Sequence, residues 1–119
     1  MRHACTASWS LDPGKIVNPL SVEVQVQGAV VDGLTATLYG EIMIQNGRVE
    51  QENFSDHRML RMAEMAKVEC VLVPSGGFWS GCSEQPVSVV APALCNAIFS
   101  ATGKRIRSLP LKNHDLRNA

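Results

Sequence analysis

The sequence has no C-x-x-C pair and no histidine at metal-ligand spacing from a cysteine, which argues against a structural zinc site. It has no excess of charge, since 11 Lys+Arg face 11 Asp+Glu, and this argues against a general nucleic-acid binder. No stretch approaches the roughly 18 apolar residues of a membrane span. Met1 to Ser10 carries no apolar run of signal-peptide length. A cytoplasmic protein without a membrane partner is the expectation. Internal repeats, low-complexity tracts and linkers are also missing, so the 119 residues read as one small domain.

What is present is enough for a core. Apolar residues make up 45% of the chain and charged residues 18%, unlike a disordered segment. At this size only about two-thirds of the surface of the unfolded chain is hidden on folding, so the stability margin is thin. Cys5, Cys70, Cys82 and Cys95 are expected to be mostly reduced and buried, because a chain this apolar does not need a disulfide staple. Charge is uneven along the chain. Residues 104–119 hold five basic side chains (Lys104, Arg105, Arg107, Lys112 and Arg117) and one acid, Asp115, which reads as a solvated basic terminus.

Local signals outline an α+β domain. Asp12-Pro13-Gly14-Lys15 is a turn, and Asn18-Pro19 pairs a capping residue with proline at the first helical position. Val22, Val24 and Val26 alternate with polar residues as in a strand, whereas Val26, Val30, Leu34 and Leu38 recur as on a helix. Periodicity alone therefore predicts strand, then helix. Asn46-Gly47 between Glu41–Gln45 and Arg48–Phe54 predicts a two-residue hairpin. Val68–Val73 reads as a third strand, residues 74–86 as a loop, and Ile106–Leu109 as a short last strand.

Val87, Val90, Leu94, Ala97, Ile98 and Ala101 predict a second helix, with Gly103 as its C-terminal cap and Pro92 confined to its first turn. Two main helices on a small, mainly antiparallel sheet containing the Asn-Gly hairpin are expected.

Few residues could carry chemistry. Glu84 is the only acid between Glu69 and Asp115, in a Gly-rich loop with Phe78, Trp79 and Cys82 nearby. Apolar surroundings would penalise its charged form and raise its pKa toward that of a general base, whereas a solvated loop glutamate would do nothing of the kind. Cys82 lacks an identifiable partner base, and Asp56-His57-Arg58 reads equally as an exposed turn. Gly76-Gly77 lacks the lysine and spacing of a phosphate loop. Gln25 and Gln27 could bond a heterocycle or simply form a polar face. Met59, Met62 and Met65 suit one face of a helical turn, with core filling as their role.

Longer stretches carry a resemblance. They are Asp12–Pro19, Gln25–Leu34, Leu38–Glu41, Asn46–Gln51, Asp56–Leu60, Gly81–Glu84, Ala91–Leu94 and Ala101–Pro110. Together they resemble the C-terminal end of the molybdenum-binding large subunit of the xanthine dehydrogenase/aldehyde oxidoreductase family, in its isoquinoline 1-oxidoreductase β-subunit branch. The resemblance divides the chain into a poorly matching extension (1–11), the family segment (12–111) and a basic tail (112–119).

It implies a single helix from about Asn18 to Tyr39, against the valine alternation. It also implies that Glu84, in the position of the family's Gly-x-Gly-Glu carboxylate, is the catalytic general base. The reaction would be oxidation of an aldehyde or N-heterocycle with water-derived oxygen. Gln25 would contact the pterin of a molybdenum cofactor, an edge that suits an amide, and Gly28 would let the backbone approach closely. No metal ligand from this chain is implied.

Ser83 stands where the motif usually has glycine, Gln85 where it usually has proline, and Gln27 where it usually has glutamate. The family subunit is several times longer, and its iron–sulfur clusters sit on another subunit or domain. The remainder of the molybdenum subunit and an iron–sulfur subunit are thus the implied partners, and the chain alone is expected to be inactive. The alternative is a non-catalytic α+β binding or assembly module that keeps the fold and covers its exposed faces by self-association.

Overall fold

The computed structural model describes residues 6–116. The order is strand β1 (Thr6–Leu11), helix α1 (Pro19–Tyr39), hairpin strands β2 (Ile44–Gln45) and β3 (Arg48–Val49), strand β4 (Lys67–Leu72) and helix α2 (Glu84–Thr102). Three single-turn 3-10 helices lie at Phe54–Asp56, Met62–Glu64 and Leu111–Asn113. This is the expected α+β class, with two helices and both parallel and antiparallel strands.

The sheet is not arranged as expected. The longer ladder is parallel: β1 pairs with β4 from Thr6↔Lys67 to Leu11↔Leu72, and the Val73 N–H continues it to the Leu11 carbonyl at 2.9 Å. Its first strand comes from residues 6–11, for which no element is foreseen from the sequence. The antiparallel part is the separate β2–β3 hairpin, Ile44↔Val49 and Gln45↔Arg48, turned by Asn46 (φ 51°) and Gly47 (φ 76°) as a type I′ turn requires. The hairpin is shorter than its sequence suggests because both strands are exposed, and a lone two-stranded ribbon gains little from pairing.

Helix α1 starts where Asn18-Pro19 predicts. The Asn18 side chain accepts from the Ser21 N–H at 3.5 Å, and Pro19 occupies the first turn. The strand expected at Val22, Val24 and Val26 is the first turns of this helix. Residues two apart on a helix point about 200° apart, so Val26 is fully buried while Val24 is 63% exposed. Val26, Ala29, Val30 and Gly33 face the core, with Thr37 (Oγ1 to Gly33 O, 2.6 Å) below them. Thr35 is buried too; its Oγ1 donates to Val31 O at 2.8 Å and accepts from the Leu60 N–H at 3.2 Å, docking the 57–61 segment on the helix.

Gly33 is the point of closest helix contact. A Cβ there would lie 2.7 Å from Val90 Cγ2 and 3.0 Å from the Val87 carbonyl oxygen. Val90, Pro86, Ile106 and Leu111 are also buried. Truncating Val30, which is 1% exposed, to alanine is expected to cost about 2 kcal/mol, read as a lowered urea midpoint with an unchanged m-value.

Four further expectations are corrected. Pro92 lies well inside α2, not in its first turn, because the helix begins at Glu84 and shortens the preceding loop. The missing N–H there leaves the carbonyl of Ser88 without its helical donor, and Ser88 is exposed, so water can supply one. Residues 106–109 form no strand, although Ile106 is buried and Gly103 (φ 71°) caps α2 as predicted. Met59, Met62 and Met65 do not fill the core; Met62 is 96% exposed. Cys70, Cys82 and Cys95 are free but only half-buried, and Cys5 lies outside the described residues.

The basic terminus folds back in part. Leu111 is buried, the Lys112 ammonium lies 2.8 Å from Glu41, and the Asn113 amide donates to the same carboxylate at 3.1 Å. The Lys112 bond, then the Asn113 bond, hold Glu41 below its ordinary pKa of 4.5. A carboxylate with a lowered folded pKa contributes stability above its ordinary value and loses it as pH falls through the folded value. Glu41→Gln is therefore expected to lower the melting temperature slightly at neutral pH, the deficit vanishing below the folded pKa of Glu41. Melts across that range test it.

Candidate functional site

Glu84 is the first residue of α2, and its position is fixed from two sides. On the helix side, Pro86 is buried and Val87 and Val90 close on Gly33 of α1. On the loop side, residues 74–80 are stitched to the turn that follows β1. The Asp12 carboxylate accepts from the Gly14 N–H and the Ser75 N–H, both at 3.0 Å. Ser80 donates its N–H to the Pro13 carbonyl at 3.2 Å and its hydroxyl to the Asp12 carbonyl at 3.0 Å. The Ser75 bonds and the Gly14 bond together hold the Asp12 carboxyl below its ordinary value. Gly14 has φ 75°, and a Cβ on it would lie 2.2 Å from the Phe78 carbonyl oxygen, so only glycine fits.

Of the two surroundings that the sequence leaves open for Glu84, the structure shows the solvated one. Its side chain is exposed, and among the described residues nothing pairs with its carboxylate. Ser83 precedes it in helical geometry and makes no side-chain cap. Phe78 and Trp79 are 95% and 68% exposed. What the geometry offers is an accessible carboxylate at a helix start, held on a well-tethered backbone.

Gln25 and Gly28 sit one helical turn apart on α1 and share its exposed side. The space where a Gly28 Cβ would point is open, with nothing inside 4 Å. Among the described residues no hydrogen bond joins Gln25 to Glu84. Cys82 is half-buried and has no hydrogen-bonded base. His57 is exposed after the turn at Phe54–Asp56. The loop stitch centred on Asp12 was not visible in the sequence; only its turn signal, Asp-Pro-Gly, was.

Two cavities lie elsewhere. An open one of about 610 Å³ is lined by Lys15 and residues 76–79. A groove of about 250 Å³ runs between β1 and α2, lined by Ala7, Trp9, Leu34, Leu94 and Ala97 among others. Gln25, Gly28 and Glu84 line neither. Among the described residues no helix is long and apolar enough to cross a membrane.

Comparison with known proteins adds the missing context. The family profile described as molybdopterin cofactor-binding domain matches residues 6–66. The isoquinoline 1-oxidoreductase subunit β of Brevundimonas diminuta is 30% identical over 103 residues, which are 87% of this chain and 13% of that protein. The membrane-bound aldehyde dehydrogenase (pyrroloquinoline-quinone) of Gluconacetobacter polyoxogenes is 33% identical over 106 residues, 89% of this chain and 14% of the relative.

Among solved structures, quinoline 2-oxidoreductase from Pseudomonas putida 86 superposes with a TM-score of 0.73 at 18% identity, over 87% of this chain and 14% of that one. A Cu,Mo-CO dehydrogenase follows at 0.69 and 24% identity, over 80% of this chain and 13% of its own. The structural matches establish the fold. The chain spans about one-seventh of the length of these relatives.

Proposed function

The chain belongs to the molybdopterin cofactor-binding domain family, and from that premise we propose that it supplies one wall of a molybdenum hydroxylase active site. The rest of the site comes from the remainder of the molybdenum subunit. An iron–sulfur subunit takes up the electrons, and the substrate is an aldehyde or an N-heterocycle. The observation that carries this reading is the accessible Glu84 at the start of α2, within a chain whose family match covers residues 6–66.

The residues present do not enclose a molybdenum–pterin group by themselves. Gln25, Gly28 and Glu84 are all exposed, and none of them lines either of the cavities described above. When bound in a completed site, that group supplies the redox chemistry. This chain's share is to present the Glu84 carboxylate as proton acceptor and the Gln25 amide as a paired donor and acceptor. Gly28 keeps the backbone surface of α1 open beside Gln25. A chain without the remainder has no such enclosure and is inactive alone.

The surface supports assembly. Phe54, Met62, Phe78 and Leu20 are more than two-thirds exposed, and the sheet has only two strands, while parallel sheets are ordinarily covered on both faces. The surrounding subunit is the cover proposed here. Co-expression with the remainder of such a subunit tests the reading: a stable complex that retains molybdenum and oxidises an aldehyde or N-heterocycle is expected. A chain that stays separate from it and forms a defined homo-oligomer would overturn the reading in favour of a self-associating module, which the same exposed side chains would serve.

A further inference from the structure

We propose that Asp12 is a positioning residue for Glu84, acting through the loop between β4 and α2; the catalytic half of this inference rests on the reading of Glu84 given above. Parallel strands β1 and β4 end side by side at Leu11 and Leu72. Each then leaves the ladder in a turn, β4 after one more bond from the Val73 N–H to the Leu11 carbonyl. The first is Asp12-Pro13-Gly14 and the second begins at Pro74, and both prolines lack an N–H.

Asp12 joins the two turns. One carboxylate oxygen accepts two backbone N–H groups from chain segments more than sixty residues apart, those of Gly14 and Ser75. The Asp12 main chain then receives the Ser80 hydroxyl, and its neighbour Pro13 receives the Ser80 N–H. The loop is therefore held at its first residues and again at Ser80. Between these points Gly14 lies against the Phe78 backbone too closely to admit a side chain.

Only Gly81, Cys82 and Ser83 separate the second anchor from Glu84. Ser83 gives α2 no side-chain cap, so the start of this helix has no local device of its own. The tether at Ser80 and the packing of Pro86 and Val90 are what fix it. A base displaced by even an ångström loses much of its rate advantage, so a tether four residues upstream sets catalysis without touching the reacting atoms.

Amide hydrogen exchange on the complete 119-residue chain tests the tether, with no cofactor or partner required. In Asp12→Ala, exchange at Ser75, Ser80 and the first bonded amides of α2, those of Ser88 and Val89, is expected to rise about tenfold, while the α1 core at Val26 and Val30 is unchanged. Asp12→Asn, whose amide oxygen can accept the same two N–H groups, is expected to restore protection. If Asp12→Ala fails to fold, Ser80→Ala tests the second anchor: exchange at residue 80 and at Ser88 and Val89 is expected to rise, while Ser75, still bonded to the Asp12 carboxylate, keeps its protection.

Unchanged exchange at Ser75, Ser80 and the start of α2, a uniform rise that includes α1, or no rescue by asparagine would each overturn the tether. In the assembled enzyme, Asp12→Ala is expected to lower kcat about tenfold with KM nearly constant. If the loop loosens as expected but turnover is insensitive to Glu84, the tether stands and the role of Glu84 falls.

Discussion

Turnover of the assembled enzyme is expected to fall by about 10²–10⁴-fold when Glu84 is replaced by glutamine, the range spanned by loss of a general base. Glutamine keeps the length and hydrogen-bonding ability of the side chain but cannot take a proton at neutral pH. The carboxylate is exposed and, among the described residues, makes no hydrogen bond or ion pair, so only its charge at the N-terminus of α2 is lost. Thermal melting of the isolated chain should therefore fall only slightly, with helix content and the molybdenum content of the complex unchanged. Full turnover after this substitution would remove Glu84 from the mechanism and leave the fold assignment untouched.

The second large effect is structural. Gly33→Val should lower stability by about 3 kcal/mol, at the upper end of what overpacking of a close contact costs. The new Cβ alone would sit 2.7 Å from Val90 Cγ2 and 3.0 Å from the Val87 carbonyl oxygen, and a branched side chain adds two more methyl groups to that gap. Alanine at this position sets a better helix propensity against the same clash. Its loss should be smaller than that of valine. Urea unfolding of both variants ranks them, and Gly33→Val as stable as the parent would show that the two helices can separate freely. A chain of this size has a total stability of only about 6–15 kcal/mol, so the valine variant forfeits a large share.

Much of this was legible from short-range chemistry. Asn18-Pro19, Asn46-Gly47 and Gly103 each announce a backbone conformation that few other residues would favour, and each sits where the structure uses it. Patterns that depend on burial were less secure. The valine alternation at 22–26 mimics a strand because β-branched residues favour strands, yet one buried position in that run is enough for a helix face.

Strand β1 carries only Ala7, Trp9 and Leu11 as an apolar set, and its partner lies far along the chain, so no local rule identifies it. Pro92 breaks a helix rule at an exposed turn, where water makes the breach inexpensive. The carboxylate at position 84 could be singled out from its position, but not its environment. Proximity in sequence to Phe78 and Trp79 does not decide it, because both aromatics are themselves largely exposed.

The parallel ladder has a consequence for how the molecule is assembled in time. Every rung from Thr6↔Lys67 to Leu11↔Leu72 joins residues with the same separation along the chain, so the first rung to form closes a loop of sixty residues and the others close nothing further. The whole entropic penalty falls on one event, after which the remaining pairs follow with little additional cost. The Asn-Gly hairpin and the whole of α1 lie inside that loop and can form beforehand, shortening the effective distance to be bridged. The sheet should accordingly appear and disappear as a unit, with its rate governed by how early the intervening segments become compact.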